Sequence, residues 1–275
     1  MSSVLERSLS IIELLARNPD GLPVSTIASE LDLPTSAAHR LLNELAKFGY
    51  VRQLRSQGDY ALTIKLAAMG LFFLGQAGIT DIAQPILDHL AKESQELIRL
   101  SVIDDGKLVW VGVSQGATGG LRYDPGREQG VEVHLASSAG GQAWLSTMSD
   151  EDATAKVAEQ GLLPPFQPGP KAPRTFPDLF ARLAEARKLG YAVAVDSYLA
   201  GMAAMAVPIM QPKTGQVVGC LSVAGPAVRL TPERMQQLSG HLHQAAGEIA
   251  EATRASRFFN RAENVPPART GADSV

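Results

Sequence analysis

The stretch PTSAAHRLLNELAKFGYV, residues 34–51, decides the reading of the N-terminal part. Ala38, Leu41, Leu42 and Leu45 recur at i, i+3, i+4 and i+7, which makes one apolar face of a helix. Ser36, His39, Arg40, Asn43 and Lys47 make the opposite stripe, and Gly49 suits the helix end. Thr35, Ser36 and Ala37 form the first turn, where backbone N–H groups can face a phosphate. Upstream, Leu31-Asp32-Leu33-Pro34 reads as a tight turn. Before it, Val24, Ile27, Ala28 and Leu31 mark a short helix with Ser25 as its cap. A first helix carries Leu5, Leu9, Ile12 and Leu15 on one face and ends at Asn18-Pro19-Asp20-Gly21. Downstream, Tyr50–Leu54 and Asp59–Thr63 form two strands around Arg55-Ser56-Gln57-Gly58.

Helix, helix, tight turn, helix and hairpin is the order of a winged helix-turn-helix. The whole chain has 25 Lys+Arg against 28 Asp+Glu, a net charge of −3 that by itself argues against a polyanionic partner. Residues 34–58, however, carry Arg40, Lys47, Arg52 and Arg55 against Glu44, so positive charge gathers where nucleic acid would touch. Arginine matches guanine and asparagine matches adenine in the major groove. Arg52 and Arg55 flank the hairpin tip, a place for minor-groove or backbone contact. The candidate DNA contacts are Ser25, Thr35, Ser36, Ala37, His39, Arg40, Asn43, Arg52 and Arg55. The competing readings are a helical domain whose polar stripe is only solvated, and a helical module that binds another protein.

Residues 64–78, IKLAAMGLFFLGQAG, are apolar on most sides, so this helix needs a cover. A linker helix buried against a second subunit meets that need. The apolar run Leu66–Ile79, about 14 residues, is too short to span a bilayer. From residue 80 the texture is mixed: a helix to Glu96, then a hairpin turning at Asp104-Asp105-Gly106-Lys107. Helices follow at about 139–148, 150–160 and 177–189, with the proline-rich segment 161–175 as loop. Strands at 191–196, 203–210 and 217–224 come next, and Thr231-Pro232-Glu233 opens a last helix. The expected plan is α+β: 1–63 DNA-binding, 64–79 linker and dimerisation helix, 80–260 effector domain, 261–275 disordered tail. No secretory signal is visible at the start and Cys220 is the single cysteine, which together suit a reducing cytoplasm.

The run LERSLSIIELLARNPDGLPVSTIASELDLPTSAAHRLLNELAKFGYV closely resembles the start of IclR-family transcriptional regulators. Ser36, His39, Arg40, Leu41, Leu42, Gly49, Tyr50 and Val51 match that family's recognition helix and wing entry. The resemblance runs over about residues 4–255. It implies a homodimer or dimer of dimers on double-stranded DNA with a pseudo-palindromic operator. It further implies a GAF-like effector domain, with a curved antiparallel sheet, that responds to a small organic acid and needs no cofactor or metal. The pocket segments it implies contain Ser138, Ala139 and Gly140; then Asp196; then Cys220, Ser222 and Ala224. Ala204 and the pair Arg122 and Tyr123 are further effector candidates, Arg122 and Tyr123 having a surface loop as their other reading. Trp110 and Trp144 either line the pocket or pack in the core.

Departures from the family pattern run toward lower polarity. Ala136 replaces a usual histidine, Gln142 a lysine and Ala224 a serine, and Asp196 alone remains of an acidic cluster. An effector larger and more apolar than glyoxylate or pyruvate follows, such as an aromatic or alicyclic carboxylate. Enzyme chemistry has little to stand on. No His or Asp is placed by sequence to activate Cys220, and His241 and His243, at i, i+2 on a helix, diverge. His134 has no second metal-type ligand at useful spacing, and Gln115–Gly120 lacks the lysine of a P-loop.

Overall fold

The structure, a computed structural model, describes residues 3–54, 58–77, 80–123 and 128–252. The chain folds as two compact units, Met1–Gln76 and Ala77–Val275. The expected tail 261–275 and the hairpin tip at Arg55, Ser56 and Gln57 lie outside the described residues.

In the first unit, helix α1 (Val4–Ala16) opens with a capping box between Ser3 and Glu6. Its inward residues are Ile11 and Leu15, whereas Leu5 and Leu9 are 69% and 49% exposed. The face expected from Leu5, Leu9, Ile12 and Leu15 is therefore corrected. Only the later turns of α1 meet the core, which also holds Ile27, Leu41, Leu42, Leu45, Val51 and Tyr60. Helix α2 (Val24–Glu30) is preceded by Pro23 at the cap position, with no side-chain cap. Ser25 is thus not the cap; it sits exposed inside the first turn. Helix α3 (Thr35–Lys47) follows, then strands β1 (Val51–Gln53) and β2 (Tyr60–Leu62), paired antiparallel. Leu22 bridges to Tyr60, and Gly21, at φ +89°, leaves 2.9 Å between a would-be Cβ and the Tyr60 carbonyl oxygen. Only glycine fits both the backbone angle and that approach. Helix α4 (Lys65–Ala77) exposes Leu71, Phe72, Phe73 and Met69.

The second unit is an antiparallel sheet of five strands in the order β4-β3-β7-β6-β5. The strands are β3 (Leu97–Asp104), β4 (Lys107–Gln115), β5 (Ala192–Val195), β6 (Met202–Met210) and β7 (Val217–Pro226). Helices α5 (Thr80–Ser94) and α9 (Pro232–Ala252) pack on each other and on one face. On the other face lie α6 (Ala139–Leu145) and α8 (Phe176–Leu189), with α7 (Asp150–Gln160) completing the apolar layer beneath them. Strand alternation separates the faces: Leu100 lies on the α5 side while its neighbour Ser101 faces α6. Helix α6 passes so close to the backbone of Leu135 that a Cβ on Gly141 would lie 2.3 Å from the Leu135 carbonyl oxygen.

Leu42→Ala, at a fully buried position, is expected to cost about 2–5 kcal/mol in denaturant unfolding followed by circular dichroism. Gly141→Ala is expected to lower the melting temperature of the full chain, because backbone on both sides must move to admit one methyl group.

Candidate functional site

Two surfaces carry chemistry, one in each unit. On α3, Ala38, Leu41, Leu42 and Leu45 hold the helix to the core. This leaves Thr35, Ser36, His39, Arg40 and Asn43 exposed together on its other side. Ala37 is half-buried, and its N–H donates to the Pro34 carbonyl at 2.9 Å. Pro34 offers no side-chain acceptor, so no cap blocks the start of the helix. The Asn43 amide donates to His39 Nδ1 at 3.2 Å, and the His39 ring meets Tyr60 edge-on at 6.5 Å. Lys47 pairs with Glu44 at 2.6 Å, which partly offsets its charge. Arg40, and Arg52 on β1, are exposed and make no ion pair among the described residues. Of the sequence candidates, α3 and β1 bring together all except Ser25 on α2 and Arg55, which lies outside the described residues.

In the second unit a cavity opens between the sheet and the start of α6. Arg99, Trp110, Tyr123, Ser138, Ala139, Gly140, Ala194, Tyr198, Leu199, Met202, Ala203, Ala204, Ser222 and Ala224 line about 480 Å³ of atom-free space, mouth included. Its floor is a row of methyl groups, since Ala194 pairs with Ala204 and Ala204 with Ala224 across three strands. Tyr198 stands edge-on to Trp110 at 5.6 Å and leans on Phe166 at 5.0 Å. Burial pushes the Tyr198 hydroxyl up to about 12, so it stays protonated. The Ser138 hydroxyl accepts from the Gly141 N–H at 3.0 Å and is spent as the α6 cap.

The wall is charged. The Arg99 guanidinium lies 4.8 Å from the ring centres of both Trp110 and Tyr123. Its Nη2 is 2.7 Å from Glu128 Oε2, and the other Glu128 oxygen accepts from the Tyr123 hydroxyl. Burial and the neighbouring Glu128 push the Tyr123 hydroxyl well above the usual phenol range. Among the described residues, Arg99 Nε and Glu128 Oε2 are left without a directed hydrogen bond.

Three sequence candidates fall elsewhere. Arg122 is exposed and does not line the cavity. Asp196, at φ +49°, accepts from the Gly201 N–H at 2.8 Å and pairs with Lys171 at 3.3 Å. Those contacts lower its pKa and fasten the β5–β6 turn, away from the lining. Cys220 is buried in the core beneath α6, where burial pushes its thiol far up; it is neither lining nor a thiolate. Trp144 packs in the core and Trp110 lines the cavity. Sequence reasoning missed Arg99, and its signal was a lone arginine in the apolar strand LIRLSVID.

Other reactive constellations are structural. Ser137 donates to His134 Nδ1 at 2.8 Å, and His134 Nε2 donates to the Gly161 carbonyl at 3.1 Å. Both side chains are buried, and among the described residues no carboxylate hydrogen-bonds the imidazole, so the pair is not poised for acyl transfer. Among the described residues no group of three or more metal-type ligands converges, and no helix is long and apolar enough to cross a membrane.

Comparison with known proteins accounts for both units. The family described as "Bacterial transcriptional regulator IclR C-terminal" matches residues 72–251, and the IclR helix-turn-helix domain matches residues 4–55. The acetate operon repressor of Salmonella typhimurium is 28% identical over 249 residues, covering 90% of this chain and 89% of that protein. The crystal structure of the Thermotoga maritima IclR is 26% identical, with a TM-score of 0.70 over 90% of this chain and 97% of that one. An IclR homologue from Microbacterium hydrocarbonoxydans, crystallised with 4-hydroxybenzoate, is 22% identical. It has a TM-score of 0.73 and covers 92% of this chain and 100% of that one. With its sequence matched by both domains of one family, the chain belongs to the IclR family of bacterial transcriptional regulators, which are not enzymes.

Proposed function

We propose that the protein represses a catabolic operon by binding a pseudo-palindromic operator as a homodimer or dimer of dimers. A small carboxylic acid, most naturally an aromatic one, would control its operator affinity from the cavity beside α6. The observation that carries the DNA half is the exposed α3 face, where Arg40 has no counter-ion among the described residues. A helix seated in the major groove by that face brings Arg40 and Asn43 to base edges. Thr35 and Ser36, with the start of the helix, then lie near phosphate. The exposed Leu71, Phe72 and Phe73 of α4 supply an apolar surface for pairing two copies.

The effector half rests on the cavity's mixture of a methyl floor, aromatic walls and one buried guanidinium. A ring lying on Ala194, Ala204 and Ala224 directs a carboxylate toward Arg99, with the Ser222 hydroxyl and the first-turn N–H groups of Ala139 and Gly140 nearby. The 4-hydroxybenzoate held by one relative is of this chemical class. Whatever the acid, its leverage on operator binding equals the difference between its affinities for the two arrangements of the oligomer.

Arg40→Ala with Asn43→Ala is expected to abolish sequence-specific mobility shift while weak, steeply salt-dependent binding persists. Unchanged operator binding would refute readout by α3. For the cavity, a thermal-shift and calorimetric series should show aromatic acids stabilising the full chain more than glyoxylate or pyruvate. Ala204→Leu, which fills the floor, should remove that response and leave operator binding without acid intact. Tight glyoxylate binding with no response to aromatic acids would overturn the effector assignment.

A further inference from the structure

A guanidinium in the wall of a ligand cavity is the natural partner of a ligand anion, yet Arg99 already faces one. Glu128 lies 2.7 Å away, with the side chains only 9% and 13% exposed. Glu128 does not line the cavity; it meets the guanidinium from outside that lining. The pair is poorly built, because Arg99 Nε and Glu128 Oε2 lack directed hydrogen bonds among the described residues. A buried ion pair with unmet hydrogen-bonding capacity is a weak stabiliser. Arg99, which lines the cavity, therefore has an unmet donor in Nε, while its charge already faces that of Glu128.

We propose that Glu128 determines specificity: it is an internal carboxylate that competes with a ligand carboxylate for Arg99. The inference rests on the cavity being the acid site. With Glu128 ionised, an incoming acid must either take Arg99 from it or sit beside a second negative charge. Both cost free energy. Only an acid with enough apolar surface to use Trp110, Tyr198 and the alanine floor recovers that cost. A small acid such as acetate does not. Glu128 thus sets a lower limit on ligand size, and the methyl floor supplies what passes it.

The test uses the full chain with benzoate, acetate and benzamide as probes, read by calorimetry and thermal shift. Glu128→Gln keeps the side-chain shape and the acceptor for Tyr123 but removes the competing charge. It is expected to bind benzoate at least about tenfold tighter than the unaltered protein, to gain acetate binding, and to leave benzamide binding unchanged. Arg99→Met combined with Glu128→Gln, which replaces the ion pair by neutral groups, should lose the gain. Glu128→Asp, which keeps the charge, should not show it and guards against a folding defect in Glu128→Gln. Equal or weaker benzoate binding by Glu128→Gln, an equal gain for benzamide, or a gain that survives in the double variant overturns the proposal. If benzoate does not bind the unaltered protein, Glu128→Gln must still acquire benzoate or acetate binding or the proposal falls. The two readings fail separately. A gain in Glu128→Gln with no acid altering operator binding defeats the effector assignment alone, and an active acid effector with no gain in Glu128→Gln defeats this inference alone.

Discussion

In strand β7, pairing places Leu221 opposite Leu100 and Val207, while Ser222 stands opposite Arg99 and Ala206. That register sorts the second unit. Leu100, and with it Val207 and Leu221, turns toward the α5 side, while Ser101, Ala204, Ser222 and Ala224 turn toward α6 and the cavity. A slip of one residue would send every side chain to the opposite face and drive bulky Leu221 and Val223 into the cavity. The row Ala194, Ala204 and Ala224 exists only because three strands are aligned within one residue of each other. Cavity volume here is a consequence of register.

Charge burial is handled by ties between segments distant in sequence. Glu96, at the entrance to β3, is almost fully buried and takes Arg229 in a bidentate pair at 2.5 and 2.8 Å. Arg229 also donates to the Leu121 carbonyl at 2.9 Å, which fixes the segment leading to Tyr123. Gly225 admits the Glu96 carboxylate, since a Cβ there would lie 2.3 Å from Oε2. This bidentate pair leaves little capacity unmet and acts as a fastening. The Arg99–Glu128 pair, with its loose alignment, is built differently, and the difference suits the exchange of partners proposed for it.

Much of both units was legible in the residues because the signals were local. The i, i+3, i+4, i+7 pattern of Ala38, Leu41, Leu42 and Leu45 reports a buried helical face directly, and all four are buried in α3. Asp105-Gly106 marks a hairpin because both residues adopt positive φ, at 46° and 72°. Local pattern was a poorer guide in α1, where Leu5 and Leu9 fit an amphipathic face equally well but stay exposed. Net charge misled for a related reason: a chain-wide sum averages over surfaces that no single ligand meets.

The amino-acid sequence by itself determined element types, the recognition helix with its polar stripe, the family, and the small residues around Ser138 and Ala204. Each of these depends on neighbours within a few residues or on an ordered motif. The tertiary structure alone decided which of the effector candidates meet at one cavity. It drew together Arg99 and Glu128, far apart in the chain, gave Asp196 to a turn, and placed Cys220 in the core. The reason is physical. Whether a side chain lines a cavity depends on the strand register and helix placement contributed by segments far away in the chain, and a lone arginine in an apolar strand names its partner only once those segments have packed.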